Sequence, residues 1–157
     1  TRRSSDLLPL KPVQIAAQYQ LQCVYDDIEQ AGKVTNNGII LLSKSQSVQR
    51  QRFTVMHELG HYLLGHVGND PRFRDSSRTA EEQEADRFAV GCLMPACVLW
   101  ALHATTAEEI AAICNVSMQA AEIRARRMQI LLARNKFLTH PLERQAFEQF
   151  QQFINSQ

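Results

Sequence analysis

A chain of 157 residues with 45% apolar content is long enough for one compact domain with a real core. Seventeen basic and sixteen acidic residues leave a formal net charge of +1, too little to build a strong field for nucleic acid or an anionic membrane. The apolar runs fall short of the ~20 residues that a membrane-spanning helix needs, which excludes that class of membrane protein.

Taken in chain order, residues 1–10 are polar and bounded by proline, and read as a loose N-terminal segment. Lys11 to Gln20 reads as a short helix, because Pro12 is allowed in a first turn and Val13, Ile15, Ala16 and Tyr19 form a helical stripe. Leu21 to Ile28 is strand-like. Asn36-Asn37-Gly38 is a strong turn signal, and Gly38 to Ser43 after it makes a buried strand. Ile39 to Ser43 is the segment expected to form a sheet edge beside a cleft, where the backbone of an extended peptide could pair.

The next apolar stretch carries chemistry. Thr54-Val55-Met56-His57-Glu58-Leu59-Gly60-His61-Tyr62-Leu63-Leu64 holds His-Glu-x-x-His inside a helix-compatible run. Residues four apart on an α-helix lie about one turn apart on one face, so His57 and His61 can offer imidazole nitrogens to a single ion. Glu58 projects beside them, placed to hold and deprotonate a water whose pKa zinc brings to about 7. Uncharged Leu59 and Gly60 in the middle positions, and Val55, Met56, Tyr62, Leu63 and Leu64 around them, argue against a chance match. The small sheet followed by this helix is expected to build an α+β, zincin-like domain with an antiparallel sheet.

An open catalytic zinc site takes three protein ligands. One extended motif would require Gly at position 64 and His at position 67, where this chain has Leu64 and Val67. The alternative is a glutamate from a second helix, and Thr79 to Pro95 reads as that helix. Thr79 can cap it with Glu82 three residues on, Ala85, Phe88, Ala89 and Cys92 form its apolar stripe, and Pro95 closes it. Three glutamates compete. Glu82 shares the inward side with Ala85, Asp86, Phe88 and Ala89, which favours it, whereas Glu81 and Glu84 lie around the helix and read as a solvated face. Asp86 is placed to hydrogen-bond a ligating imidazole and fix its tautomer. His66 reads as a surface or core-edge histidine, and Val67 to Arg78 as a loop that could act as a lid. Two imidazoles and a carboxylate also suit manganese or iron.

At these residues the chain resembles the ImmA/IrrE-type metallopeptidases. The likeness rests on Arg50-Gln51-Arg52-Phe53-Thr54 leading into the helix, on His57 to His66, and on Glu82-Gln83-Glu84-Ala85-Asp86 running into Cys92-Leu93-Met94-Pro95. It extends more weakly over residues 10 to 132. The resemblance implies that His57, His61 and Glu82 bind one zinc, with Glu58 as general base. It also implies a cytoplasmic regulatory protease that cleaves a helix-turn-helix repressor, often of a mobile element or a stress regulon, and so derepresses its genes. The absence of any stretch like a signal peptide points to the same reducing compartment. Cys23, Cys92, Cys97 and Cys114 show no Cys-x-x-Cys pair and no tight framework, and Cys92 and Cys97, with a helix-ending proline between them, read as core thiols.

Beyond the catalytic core, set at 11–95, residues 96–134 are expected to form a helix-turn-helix-like hairpin packed on it, all within a single domain. Thr106 and Ser117 would cap its two helices, Asn115 would take the left-handed turn, and Ile110, Val116 and Ile123 would pack between them. With Arg124, Arg126, Arg127 and Arg134 beside it, this unit reads either as a DNA-binding element or as a structural hairpin. The shortage of basic residues at Met118, Gln119 and Ala120 favours the latter. The competing function is therefore a DNA- or repressor-binding module with a structural or vestigial metal site. Residues 140–157 form an amphipathic helix in this reading, with Leu142, Phe147, Phe150 and Phe153 on its apolar face. Tyr62 and His103 are candidate donors to the oxyanion of a tetrahedral intermediate.

Overall fold

The computed structural model describes residues 8–66, 80–135 and 138–157. The lid expected at Val67 to Arg78, the helix cap at Thr79 and most of the loose N-terminal segment lie outside the described residues.

Helix α1 (Pro12–Gln18) begins with its proline in the first turn, where a missing N–H removes no helical hydrogen bond. Strands β1 (Gln22–Asp26), β2 (Gly32–Val34) and β3 (Ile39–Ser43) follow and form one sheet in the order β1-β3-β2. β2 runs antiparallel to β3, joined through the turn in which Gly38 takes a φ of +77°. β1 pairs with β3 in parallel, Gln22 opposite Ile39 and Asp26 opposite Ser43. The sheet is therefore mixed where an antiparallel one was expected. Three strands that alternate in direction, with the last inserted between the first two, leave the first and last parallel.

β3 takes the centre because it is the most apolar strand, with Ile40 and Leu42 fully buried. Both of its sides are paired, so Ile39 to Ser43 is not the free edge that the sequence suggested. The edges belong to β1 and β2.

Helix α2 (Val48–Leu63) starts at Ser47, whose hydroxyl accepts the Arg50 N–H at 3.2 Å. The Gln51 side chain donates to the Ser43 carbonyl at 3.0 Å and ties this helix to the end of β3. Val55, Met56 and Leu59 bury its inner face. The helix lies so close to β2 that a Cβ on Gly32 would overlap the Thr54 methyl group. Helix α3 (Ala80–Leu93) presents fully buried Ala85 and Ala89. Small side chains let it approach closely: a Cβ on Gly60 of α2 would sit 3.0 Å from Cδ1 of Phe88.

Among the described residues, packing gathers Lys11–Cys92 into one compact unit, and Leu93–Gln157, together with residues 8–10, into another. The second unit is helical: α4 (Ala96–Ala101), α5 (Ala107–Cys114), α6 (Met118–Arg134) and α7 (Pro141–Asn155). α5 and α6 form the expected hairpin. Thr106 caps α5 in a reciprocal arrangement with Glu109, Asn115 takes the left-handed conformation at φ 51°, and Ser117 caps α6. Ile110 and Val116 are buried, but Ile123 is 60% exposed and does not pack between the helices. Met128 and Phe153 complete this unit's core. No described helix is long and apolar enough to cross a membrane.

Candidate metal centre

Two adjacent turns of α2 carry His57, Glu58 and His61, and the first turns of α3 carry Glu82 and Asp86. All five lie within the Lys11–Cys92 unit. Nε2 of His57 and Nε2 of His61 are 3.0 Å apart. One Glu82 oxygen lies 3.2 Å from the first nitrogen and the other 3.3 Å from the second. Ligands at opposite ends of a tetrahedral edge around a zinc ion stand ~3.3 Å apart when the bonds are about 2.0–2.1 Å. The three donors have the spacing and the chemistry to hold one such ion.

The tautomers lead to the same place. Asp86 Oδ1 lies 2.9 Å from His57 Nδ1, and a carboxylate only accepts, so the Nδ1–H of His57 donates to it. When that imidazole is neutral, its Nε2 carries the lone pair. A second chain of hydrogen bonds fixes His61. Nε2 of His66 donates to Glu84 Oε2 at 3.2 Å, which leaves Nδ1 of His66 as an acceptor when that ring is neutral. His61 donates its Nδ1–H to that atom across 3.0 Å, and its Nε2 in turn carries the lone pair. These proton positions follow from the network of partners. Two lone pairs and a carboxylate then converge on one point, an arrangement that a cation neutralises.

Glu58 is 6% exposed, and its Oε2 accepts the backbone N–H of Val34 at 2.8 Å. In the β2–β3 ladder, Thr35 donates to Ile39 and Ser43 to Ala31, so Val34 directs its N–H to the outer side of β2. The carboxylate is thus pinned to the outer edge of the sheet. Phe53 tilts against the His57 ring at 6.3 Å between centroids, and Arg50 stacks over Phe53 at 5.8 Å. Arg50 to Phe53 of the Arg-x-Arg-Phe-Thr lead-in lie on the first turns of α2 with part of their surface exposed, whereas Thr54 is buried.

A family model described as IrrE N-terminal-like domain, Peptidase_M78, matches residues 17–126. The chain belongs to the Peptidase_M78 family. Its metallopeptidase character and its α+β fold with a small sheet follow from that membership. No curated protein matches the chain. The M78 match runs through α5 and the first half of α6, so the turn of the hairpin and both helices at it are part of the family's domain. Arg124, counted among the charges of a possible DNA-binding face, instead directs its guanidinium to the Met94 carbonyl, with Nε at 2.9 Å. Burial holds its pKa below the ordinary arginine value.

The structure brings His57, His61, Glu82 and Asp86 together, with Glu58 beside His57 on α2. Tyr62 follows His61 on α2, one turn from Glu58, and is 38% exposed. His103 is an exposed residue at positive φ in the Leu93–Gln157 unit. Sequence reasoning missed two contacts. The outward N–H of Val34 belongs to a three-residue strand with no pattern of its own. His66 and Glu84, set aside as an edge histidine and a solvated carboxylate, are hydrogen-bonded to each other and, through His66, to His61.

Proposed function

We propose that the chain is a zinc-dependent endopeptidase in which His57, His61 and Glu82 hold the metal and Glu58 is the general base. The single observation that carries this reading is the convergence of the three donor groups beside a buried, anchored Glu58. A zinc ion held there acts as a Lewis acid and brings the pKa of water to about 7. Glu58 takes the proton of the attacking water and returns it to the leaving amine. Val34 N–H keeps the carboxylate in place during both transfers. Asp86 keeps the His57 ring oriented through Nδ1. Tyr62 serves as hydrogen-bond donor to the developing oxyanion. The outer side of β2 replaces Ile39 to Ser43 as the edge along which an extended substrate pairs, since Glu58 is fastened to it.

The substrate class we propose is a helix-turn-helix repressor whose cleavage derepresses its genes, in the cytoplasm; family membership supports this. The rival reading, a regulatory binding module, finds less support: the hairpin lies within the peptidase family's match, and Arg124 is engaged by Met94. The test is to incubate zinc-loaded wild type and Glu58→Gln protein with purified helix-turn-helix repressors of the same cell, and to follow the products by mass spectrometry. Wild type cleaves and the variant does not, while both retain one zinc per chain. Equal output from the two proteins would overturn the protease reading, and tighter loading or higher activity with manganese or iron would replace zinc.

A further inference from the structure

The end of α2 is built as a helix terminator that also delivers a side chain. Leu64 is the cap residue and Gly65 follows it at φ +77°, a left-handed conformation that side-chain-bearing residues rarely adopt. The Gly65 N–H donates to the Tyr62 carbonyl at 3.3 Å and the His66 N–H to the His61 carbonyl at 2.9 Å. This is the pair of bonds of a Schellman motif, in which the residue after the left-handed glycine folds back over the residue three from the helix end. That contact is usually hydrophobic. Here it joins two imidazoles, with ring centroids 5.2 Å apart and nitrogens at 3.0 Å. His66 is 7% exposed, and its far nitrogen is held by Glu84 from α3.

We propose that His66 and Glu84 are positioning residues for the metal centre, which hold His61 as the Nε2 ligand just as Asp86 holds His57. The proposal rests on the metal-site reading above. The two ligand histidines would be oriented by different devices on the same helix α3. Asp86 acts on His57 directly, as a charged acceptor. Glu84 acts on His61 through the intervening imidazole of His66, because His61 lies one turn further along α2 and is fully buried. With Glu84 accepting at Nε2, the neutral form of His66 presents a lone pair at Nδ1, and that lone pair places the proton of His61 on Nδ1. A glutamate on the supposedly solvated side of α3 thereby selects which nitrogen of a buried ligand faces the metal.

The test compares wild type with His66→Phe, which keeps a ring in place but cannot accept, and His66→Asn, whose side-chain oxygen stands where Nδ1 stood. Zinc affinity is measured by chelator competition, His61's tautomer by long-range proton–nitrogen NMR of the imidazoles, and folding by denaturant titration of the metal-free proteins. The expected result is a loss of about 10- to 100-fold in zinc affinity for His66→Phe, with loss of the Nδ1–H signature of His61. His66→Asn recovers most of the affinity and the signature. Wild-type affinity and an unchanged His61 tautomer in His66→Phe would overturn the inference while leaving the metal site intact. Equal losses in both variants would trace the effect to packing and also overturn it. A wild type that binds no zinc would remove the metal site itself, and the inference with it.

Discussion

Gly60→Ala places one methyl group at the closest contact between α2 and α3. The new Cβ would stand 3.0 Å from Phe88 Cδ1 and 3.3 Å from both Cβ and Cγ of that residue, where carbon atoms prefer about 3.5–4.0 Å. Turning the ring relieves only part of the overlap, because Phe88 Cβ moves only with the backbone of α3. The helix itself must retreat by a few tenths of an ångström. For stability two terms oppose. Overpacking costs about 1–3 kcal/mol, while alanine is about 1 kcal/mol better than glycine in a helix interior, so the net loss should lie between nothing and about 2 kcal/mol. For the metal only one term acts. Glu82 rides on α3 while His57 and His61 ride on α2, and coordination distances tolerate only about 0.2 Å. Zinc affinity should therefore fall by about tenfold or more, which corresponds to about 1.4 kcal/mol, even if the metal-free fold is nearly as stable as wild type. Denaturant titration of the metal-free protein beside chelator competition for zinc separates the two effects. A variant with wild-type zinc affinity would refute the argument that this contact sets the distance between the ligand helices.

Val34→Pro deletes the N–H that holds Glu58 but no ladder bond, since that group faces away from β3 and proline is tolerated there on an edge strand. A hydrogen bond to a charged group contributes about 1.5–3 kcal/mol, so kcat/KM should drop about 10- to 100-fold with zinc binding intact; steady-state kinetics and metal analysis decide it. Burial pushes the thiols of Cys23, Cys92 and Cys97 up from the ordinary cysteine value, so near neutral pH they should alkylate slowly in the native protein and quickly in denaturant. Fast native labelling at these positions would contradict their placement. The N–H groups of Thr106 and Thr105, with the Thr106 hydroxyl, hold the Glu109 carboxyl below the usual carboxylate range. A depressed folded value means stabilisation that is present above the unfolded pKa of about 4.3 and is lost as pH falls through the folded one. Glu109→Gln should flatten the acid limb of a stability-against-pH curve, and an unchanged limb would show that the capping box contributes nothing.

The grouping of the proposed ligands was legible because helical periodicity is enough to place it. His57, Glu58 and His61 follow from spacing along one helix, and Glu82 was separated from Glu81 and Glu84 by which side of α3 carries Ala85 and Ala89. β3 was found at its full extent from its apolar run. Its position in the sheet was not, because an apolar run reports burial and not which neighbours pair, and the partner β2 is only Gly32-Lys33-Val34. The role of Glu84 escaped for a related reason. A helical wheel sorts residues by the face they leave from, whereas the Glu84 carboxylate meets a histidine delivered by a turn on another helix. The signal that could have found it was Gly65-His66 directly after the helix, a terminator whose second residue must fold back onto His61. Ile123 was misplaced because the stripe of α6 was continued by spacing alone, while Ala121, Ala125 and Met128 are the residues that this helix buries.

His61 and Glu82 are separated by only 21 positions in the chain. An ion held between them would also be a cross-link, closing the stretch between α2 and α3 into a ring in much the way a disulfide does. The entropy of such a closure rises only with the logarithm of length, about 0.6 kcal/mol for each doubling. The sequence between the two helices can therefore lengthen or shorten freely in descent without loosening the clasp. With the proposed ion in place, cellular metal supply, by contrast, would set how firmly these two helices are fastened together.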